Sequence, residues 1–144
     1  MSSTPTEAGE VSIRPARDED TGELEVFIQP FVDEKTILPR TAYELELLEL
    51  NGFVAEREGR IVGFCALEIY SPKLAEIRSL AVSPDVRGSG VGRRLVEACV
   101  NRARERQILE VMAISSSENF FRSCGFDFTL PDEKKAFFVK TREG

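Results

Sequence analysis

Leu80-Ala81-Val82-Ser83-Pro84-Asp85-Val86-Arg87-Gly88-Ser89-Gly90-Val91-Gly92-Arg93-Arg94-Leu95 sets three elements in a row: a strand, a glycine loop and a helix. Leu80, Ala81 and Val82 end a strand that begins at Glu76, and the Pro-Asp turn redirects the chain. From there Val91, Leu95, Val96, Cys99, Val100 and Ala103 make one apolar stripe of a helix over residues 91–107, so this helix packs on a sheet. The glycines between them let the backbone approach a ligand closely, while the helix start offers unpaired N–H groups and a partial positive charge. Arg87, with Arg93 or Arg94, adds full positive charge that a phosphate can pair with. The segment predicts an anion cradle.

Working outward, residues 53–57 and 61–69 are rich in apolar and β-branched residues around Glu58-Gly59 and read as an antiparallel hairpin. Thr41 with Glu44 three residues on forms a capping box for a helix that buries Leu45 and Leu48 and stops at Gly52. Asp18, Glu19 and Asp20 open an earlier helix carrying Leu24, Phe27, Ile28 and Phe31, which Pro30 bends or ends. Residues 11–14 read as an edge strand closed by Pro15. Downstream, residues 109–114 form a strand, Ser116 or Ser117 caps a short helix that Gly125 ends, and residues 136–139 form a last strand. Strands interleaved with helices in this order predict a mixed sheet covered by helices, an α/β sandwich.

Composition excludes several classes. A chain of 144 residues with 42% hydrophobic content supports one domain, over residues 11–144, behind a Ser/Thr/Pro/Glu-rich segment of ten residues that reads as disordered. Nineteen basic against 25 acidic residues give a net charge of −6, the wrong sign for neutralising nucleic-acid phosphates. Cys65, Cys99 and Cys124 lack metal-ligand spacing and the chain has no histidine, so no metal site is expected, and reduced thiols fit a cytoplasm. No apolar run approaches the roughly 18 residues of a membrane span, and no basic, then apolar leader precedes the domain.

Two nucleotide-binding patterns fail on these letters. A Rossmann loop needs a third glycine where Arg93 stands, and a Walker A loop starting at Gly88 needs glycine and lysine in place of Arg93 and Arg94. The segment matches instead an Arg-x-x-Gly-x-Gly loop, here Arg87, Gly90 and Gly92, and downstream Phe120-Phe121-Arg122-Ser123-Cys124-Gly125-Phe126 is an aromatic helix ending in Gly-Phe. On these motifs residues 11–128 resemble the GNAT acetyltransferases. The resemblance implies a mixed, mostly antiparallel central sheet flanked by helices, with acetyl-CoA as co-substrate. The amides of Gly88, Ser89, Gly90, Val91 and Gly92 would hold the pyrophosphate beside Arg87, and Leu80, Ala81 and Val82 would pair with the pantetheine arm as if it were another strand.

Acetyl transfer to an amine needs an unprotonated amine, a donor for the developing oxyanion and a proton for the thiolate, with no enzyme nucleophile. Ala75-Glu76-Ile77 is similar to the sequence in which some GNAT enzymes keep a general base, which makes Glu76 the candidate; the bland alternative is a strand residue pairing with Arg78. The family's oxyanion donor is a backbone N–H on the same strand, here Leu80 or Val82. At Phe121 many relatives carry a tyrosine whose hydroxyl protonates the thiolate; phenylalanine cannot, leaving water, Ser115, Ser116, Ser117 or Cys124. Cys124 as a nucleophile would lack any histidine to activate it.

Residues 37–41 and 74–82, with Phe120-Phe121, resemble stand-alone domains related to N-acetylglutamate synthase. That likeness implies a small-molecule amine acceptor, an amino acid such as glutamate, whose carboxylate Arg40 and Arg78 would each fork onto. Net acidity points instead to a cationic acceptor: a polyamine, an aminoglycoside or a protein amine. A non-catalytic acyl-CoA sensor is a third reading, and a homodimer through the sheet edge is compatible with all three.

Overall fold

Two consecutive left-handed residues, Glu58 (φ 53°) and Gly59 (φ 75°), reverse the chain between β2 (Gly52–Arg57) and β3 (Arg60–Ser71), making the hairpin that the sequence predicts. The structure is a computed structural model and describes residues 9–128 and 137–142. β1 (Ser12–Pro15) and β4 (Leu74–Val82) add antiparallel partners on either side of that hairpin, and β5 (Glu110–Met112) joins β4 in parallel. The order is β1-β2-β3-β4-β5, a mixed and mostly antiparallel sheet as expected.

Helices cover both faces. On one face α3 (Val91–Glu105) buries Val91, Leu95, Val96, Cys99 and Ala103 against Ala55, Cys65, Leu67, Ala75 and Ile77. The fit is close: a Cβ on Gly63 would meet Leu95 Cδ1 at 2.9 Å and Ala55 Cβ at 3.1 Å. Only a glycine in β3 lets α3 settle at this depth, and this sets where the start of α3 stands over the end of β4. On the other face α1 (Thr21–Asp33) and α2 (Ala42–Glu49) bury Leu24, Ile28, Leu45 and Leu48 on Val54, Ile61, Phe64 and Ala66. The Thr41 capping box forms, with the Glu44 N–H donating to Thr41 Oγ1 at 3.1 Å and the Thr41 N–H to Glu44 Oε1 at 2.8 Å.

An ion pair ties the first strand to the first helix. Arg14 forks onto buried Asp20 through two 2.9 Å bonds, and the Arg17 N–H adds a third at 2.7 Å. These bonds, Arg14 first, hold the Asp20 carboxyl below its ordinary value against the opposing effect of burial.

Three local readings are corrected and a fourth is narrowed. Of the bend or end expected at Pro30, the end does not occur: α1 runs on to Asp33, and the carbonyl freed four residues back belongs to Val26, on the exposed side of the helix where water can take it. Gly52 does not stop α2, which ends at Glu49; it opens β2, where a Cβ would meet Leu48 O at 2.8 Å. β5 is shorter than residues 109–114 because it pairs with β4 only at Leu74, Ala75 and Glu76. Of the expected last strand, Ala136 lies outside the described residues and residues 137–139 form no strand. The expected disordered segment of ten residues lies, but for its last two, outside them as well. Among the described residues no helix is long and apolar enough to cross a membrane.

Candidate active site

The loop leaving β4 starts with a single turn at Pro84–Val86. Gly88 (φ 84°) and Gly90 (φ 86°) both take the left-handed conformation, and nothing lies within 4 Å of a Cβ placed on either. They are glycines for their dihedrals rather than for space, since an L side chain in this region costs roughly 1–2 kcal/mol. Two side chains brace the loop: Ser89 Oγ donates to Val86 O at 2.5 Å and Arg87 Nε to Val82 O at 3.1 Å. Gly90 occupies the N-cap of α3 with no side chain to give, and the first turn carries no acidic residue. Among the described residues the N–H groups of Gly88, Ser89, Gly90, Val91 and Gly92 have no protein acceptor. A helix start without cap or acid presents its free N–H groups and its dipole to an anion.

Beside the loop, β4 has an open edge. It pairs with β5 only through Leu74, Ala75 and Glu76, and from Ile77 to Val82 no strand of the described residues lies on that side. The Ser83 N–H donates to Val62 O on β3 at 2.8 Å, so strand alternation turns the N–H groups of Val82 and Leu80 the other way, to the open edge. Phe120 of α4 (Glu118–Ser123) lies next to this opening: a Cβ on Gly92 would stand 3.4 Å from its ring and 3.6 Å from Val82.

A bulge re-aims the middle of β4. Phe64 opposes Ala81 and Ala66 opposes Arg78, so Ser79 and Leu80 together face Cys65, and Ser79 adopts φ 58°. A non-glycine residue in that conformation stores roughly 1 kcal/mol or more, strain of the kind that gathers at functional sites. Ser79 Oγ accepts from Arg40 Nε at 3.3 Å, which draws the segment before α2 onto β4.

Four charged groups and one phenol meet on this face. Glu76, 7% exposed, stands directly across from Glu68 on β3. Tyr70 OH donates to Glu76 Oε1 at 2.5 Å, and Arg78 Nη1 donates to Glu68 Oε1 at 2.8 Å and to the Tyr70 oxygen at 3.2 Å, lying 3.7 Å from Glu76 Oε1. Burial and the bond to Glu76 push the Tyr70 phenol up to about 12, with Arg78 opposing. Burial works against the Arg78 charge, yet the Tyr70 hydroxyl, Glu76 and Glu68 outweigh it and raise its value. Arg40 is the contrary case: it is half-buried, forms no ion pair among the described residues, and is held below its ordinary value by burial and by the neighbouring Arg78 guanidinium.

The predicted residues therefore fall in two adjoining places. Arg87, Gly88, Ser89, Gly90, Val91 and Gly92 form the cradle, with Leu80, Ala81 and Val82 along the open edge; Glu76, Arg78 and Arg40 gather at the bulge. Arg78, expected to fork onto an acceptor carboxylate or to pair with Glu76, is engaged by Glu68 and Tyr70 and lies 3.7 Å from Glu76. Tyr70 and Glu68 are additions. Tyr70 is the extra residue of a second bulge, between Ile69 opposite Ala75 and Ser71 opposite Leu74. A regular hairpin counted from that turn sets Glu76 against Ile69, so the Glu68–Glu76 pair is visible only once the bulge is known.

In α4, Phe121 packs edge-on against Phe120 (5.0 Å) and Phe126 (5.3 Å), and the Phe126 and Gly125 N–H groups bond back to Phe121 O and Arg122 O, closing the helix as a Schellman turn. Ser117 holds the N-cap position without a side-chain cap bond, correcting its predicted capping role. Burial raises the Cys124 thiol, the wrong direction for a thiolate nucleophile.

A family model described as the acetyltransferase (GNAT) family matches residues 13–126. An uncharacterised N-acetyltransferase of Chlorobaculum tepidum is 33% identical over 119 residues, covering 83% of this chain and 77% of that one. Amino-acid acetyltransferases of Pseudomonas syringae are 36% identical over 118 residues, 80% of this chain, which spans only 27% of their length. Among solved structures, N-acetylglutamate synthase from Neisseria gonorrhoeae, complexed with coenzyme A and N-acetyl-glutamate, superposes with TM-score 0.77 at 30% identity over 87% of this chain and 30% of that one. A Mycobacterium tuberculosis protein in complex with CoA and NLQ gives TM-score 0.74 at 28% identity, covering 87% and 76%.

Proposed function

The chain belongs to the acetyltransferase (GNAT) family, and we propose that it moves the acetyl group of acetyl-CoA onto the amine of a small α-amino acid. It is an acyltransferase with acetyl-CoA as co-substrate. The uncapped start of α3 and the free N–H groups from Gly88 to Gly92 receive the pyrophosphate, and the open edge at Leu80, Ala81 and Val82 takes the pantetheine arm as an added strand. That places the thioester along β4, toward Glu76.

The amine lone pair then forms the N–C bond to the thioester carbonyl carbon, the C–S bond breaks, and its electron pair leaves on the coenzyme A sulfur. The N–H of Leu80 or Val82 holds the oxyanion. Glu76 takes the proton the amine loses, as general base directly or through one water. Tyr70, donating to one Glu76 oxygen, fixes the carboxylate and leaves its second oxygen for the amine. Phe121 offers no proton, so the thiolate takes one from water.

The observation that carries the acceptor reading is Arg40. A half-buried guanidinium with no carboxylate partner among the described residues, next to another guanidinium, is a costly arrangement that a bound carboxylate relieves. The names of the relatives support the same class. Coenzyme A release measured across α-amino acids, polyamines and aminoglycosides tests it. Amino acids should be turned over best, and Arg40→Ala should raise their KM about ten- to a hundredfold, the loss of one charge-assisted bond of roughly 1.5–3 kcal/mol. Preferred turnover of a polyamine or aminoglycoside, or an unchanged KM in Arg40→Ala, rejects the reading.

A further inference from the structure

The amino-acid acceptor of the preceding subsection fixes one carboxylate and leaves its side chain open. We propose that Glu68, by occupying Arg78, limits the site to a single acceptor carboxylate, so that it takes α-amino acids with uncharged side chains in preference to dicarboxylic ones.

Arg40 and Arg78 bring two positive charges; Glu68 and Glu76, directly opposed across β3 and β4, bring two negative ones. Arg78 reaches Glu68 at 2.8 Å and lies 3.7 Å from Glu76, so both carboxylates draw on one guanidinium. Arg40, whose sole side-chain bond among the described residues goes to Ser79 Oγ, is the one cation of the four groups left to pair. Four groups summing to zero accept a zwitterionic amino acid without changing the local charge. A second carboxylate would enter beside Glu68 and Glu76 with no cation left for it, paying desolvation and like-charge repulsion together. Arg40 and Arg78 look, from sequence, like a pair of carboxylate clamps; the register that sets Glu68 beside Arg78 removes one of them.

The test compares kcat/KM for glutamine with glutamate and for asparagine with aspartate, pairs of equal shape that differ by one charge, in the wild-type chain and in Glu68→Gln. The wild type should favour each amide by about tenfold or more, and Glu68→Gln, which frees Arg78 but keeps a hydrogen-bond acceptor, should shrink that preference by about tenfold. A wild type that favours the dicarboxylate, or a ratio that Glu68→Gln leaves in place, overturns this inference while the amino-acid reading stands. Absence of turnover with every α-amino acid overturns both. If Glu68→Gln folds poorly, an Arg78→Gln chain gives an independent outcome: its amide preference should persist, and loss of that preference refutes the inference.

Discussion

Gly90→Ala probes the cradle through backbone energetics alone. Gly90 sits at φ 86°, ψ 8°, with no atom beyond its own chain neighbours within 4 Å of the added methyl, so no clash with the rest of the protein contributes and the cost is the local left-handed penalty of roughly 1–2 kcal/mol. For a chain of this size that lowers Tm by about 3–8 °C. The residue can escape the strain only by rotating out of the left-handed region, which turns the free N–H groups of Gly88 to Gly92 away from a common point. To the extent that the loop relaxes in this way, the penalty moves from Tm to binding, because acetyl-CoA must reimpose the strained loop, and 1.4 kcal/mol so moved corresponds to about a tenfold weaker Kd. Thermal unfolding with isothermal titration of acetyl-CoA measures both quantities. Gly92→Ala supplies the contrast in stability: it lies inside α3, its Cβ meets Phe120 at an ordinary 3.4 Å, and helix propensity favours alanine, so Tm should hold or rise. A Gly90→Ala chain with wild-type Tm and wild-type affinity would refute the assignment of this loop.

Other perturbations separate the remaining parts. Glu76→Gln should lower kcat by a factor of about 10² or more and leave acetyl-CoA affinity intact, whereas Tyr70→Phe, which keeps the carboxylate but frees it, should cost about tenfold in kcat; titration beside steady-state kinetics distinguishes the two. Asp20 is held below its ordinary value of 3.8 by Arg14, so the stability it contributes is present above that pH and is lost as pH falls through the lower, folded-state value. Asp20→Asn should therefore destabilise the chain by about 3 kcal/mol at neutral pH, with the gap to wild type closing in denaturant titrations below pH 3.8.

What the sequence discloses follows the range of the interactions concerned. The Thr41 capping box, the left-handed Glu58-Gly59 turn and the glycines of the cradle are decided within a few residues, and each reads directly from the letters. The parallel entry of β5 beside β4 follows from the intervening helix. Bulges are another matter. Tyr70 and Ser79 each displace the β3–β4 register by one residue, and nothing local announces either: both are L residues in strands of good propensity. Glu68 meets Arg78 ten positions away only through that altered register, so the sequence names the arginines and hides the carboxylate that occupies one of them. Gly52 misleads for a different reason: the carbonyl that requires its missing side chain, Leu48 O, lies only four residues back in the last turn of α2, so the glycine serves the exit into β2 rather than the end of the helix.

The most direct test of the whole account changes the acceptor and leaves the protein alone. kcat/KM for coenzyme A release is measured for a free α-amino acid and for its α-carboxamide, which keeps the amine and the side chain but removes the charge assigned to Arg40. The free acid should be favoured about tenfold or more, the worth of one charge-assisted bond. Equal rates, or a preference for the carboxamide, would contradict an amino-acid acceptor held by its carboxylate.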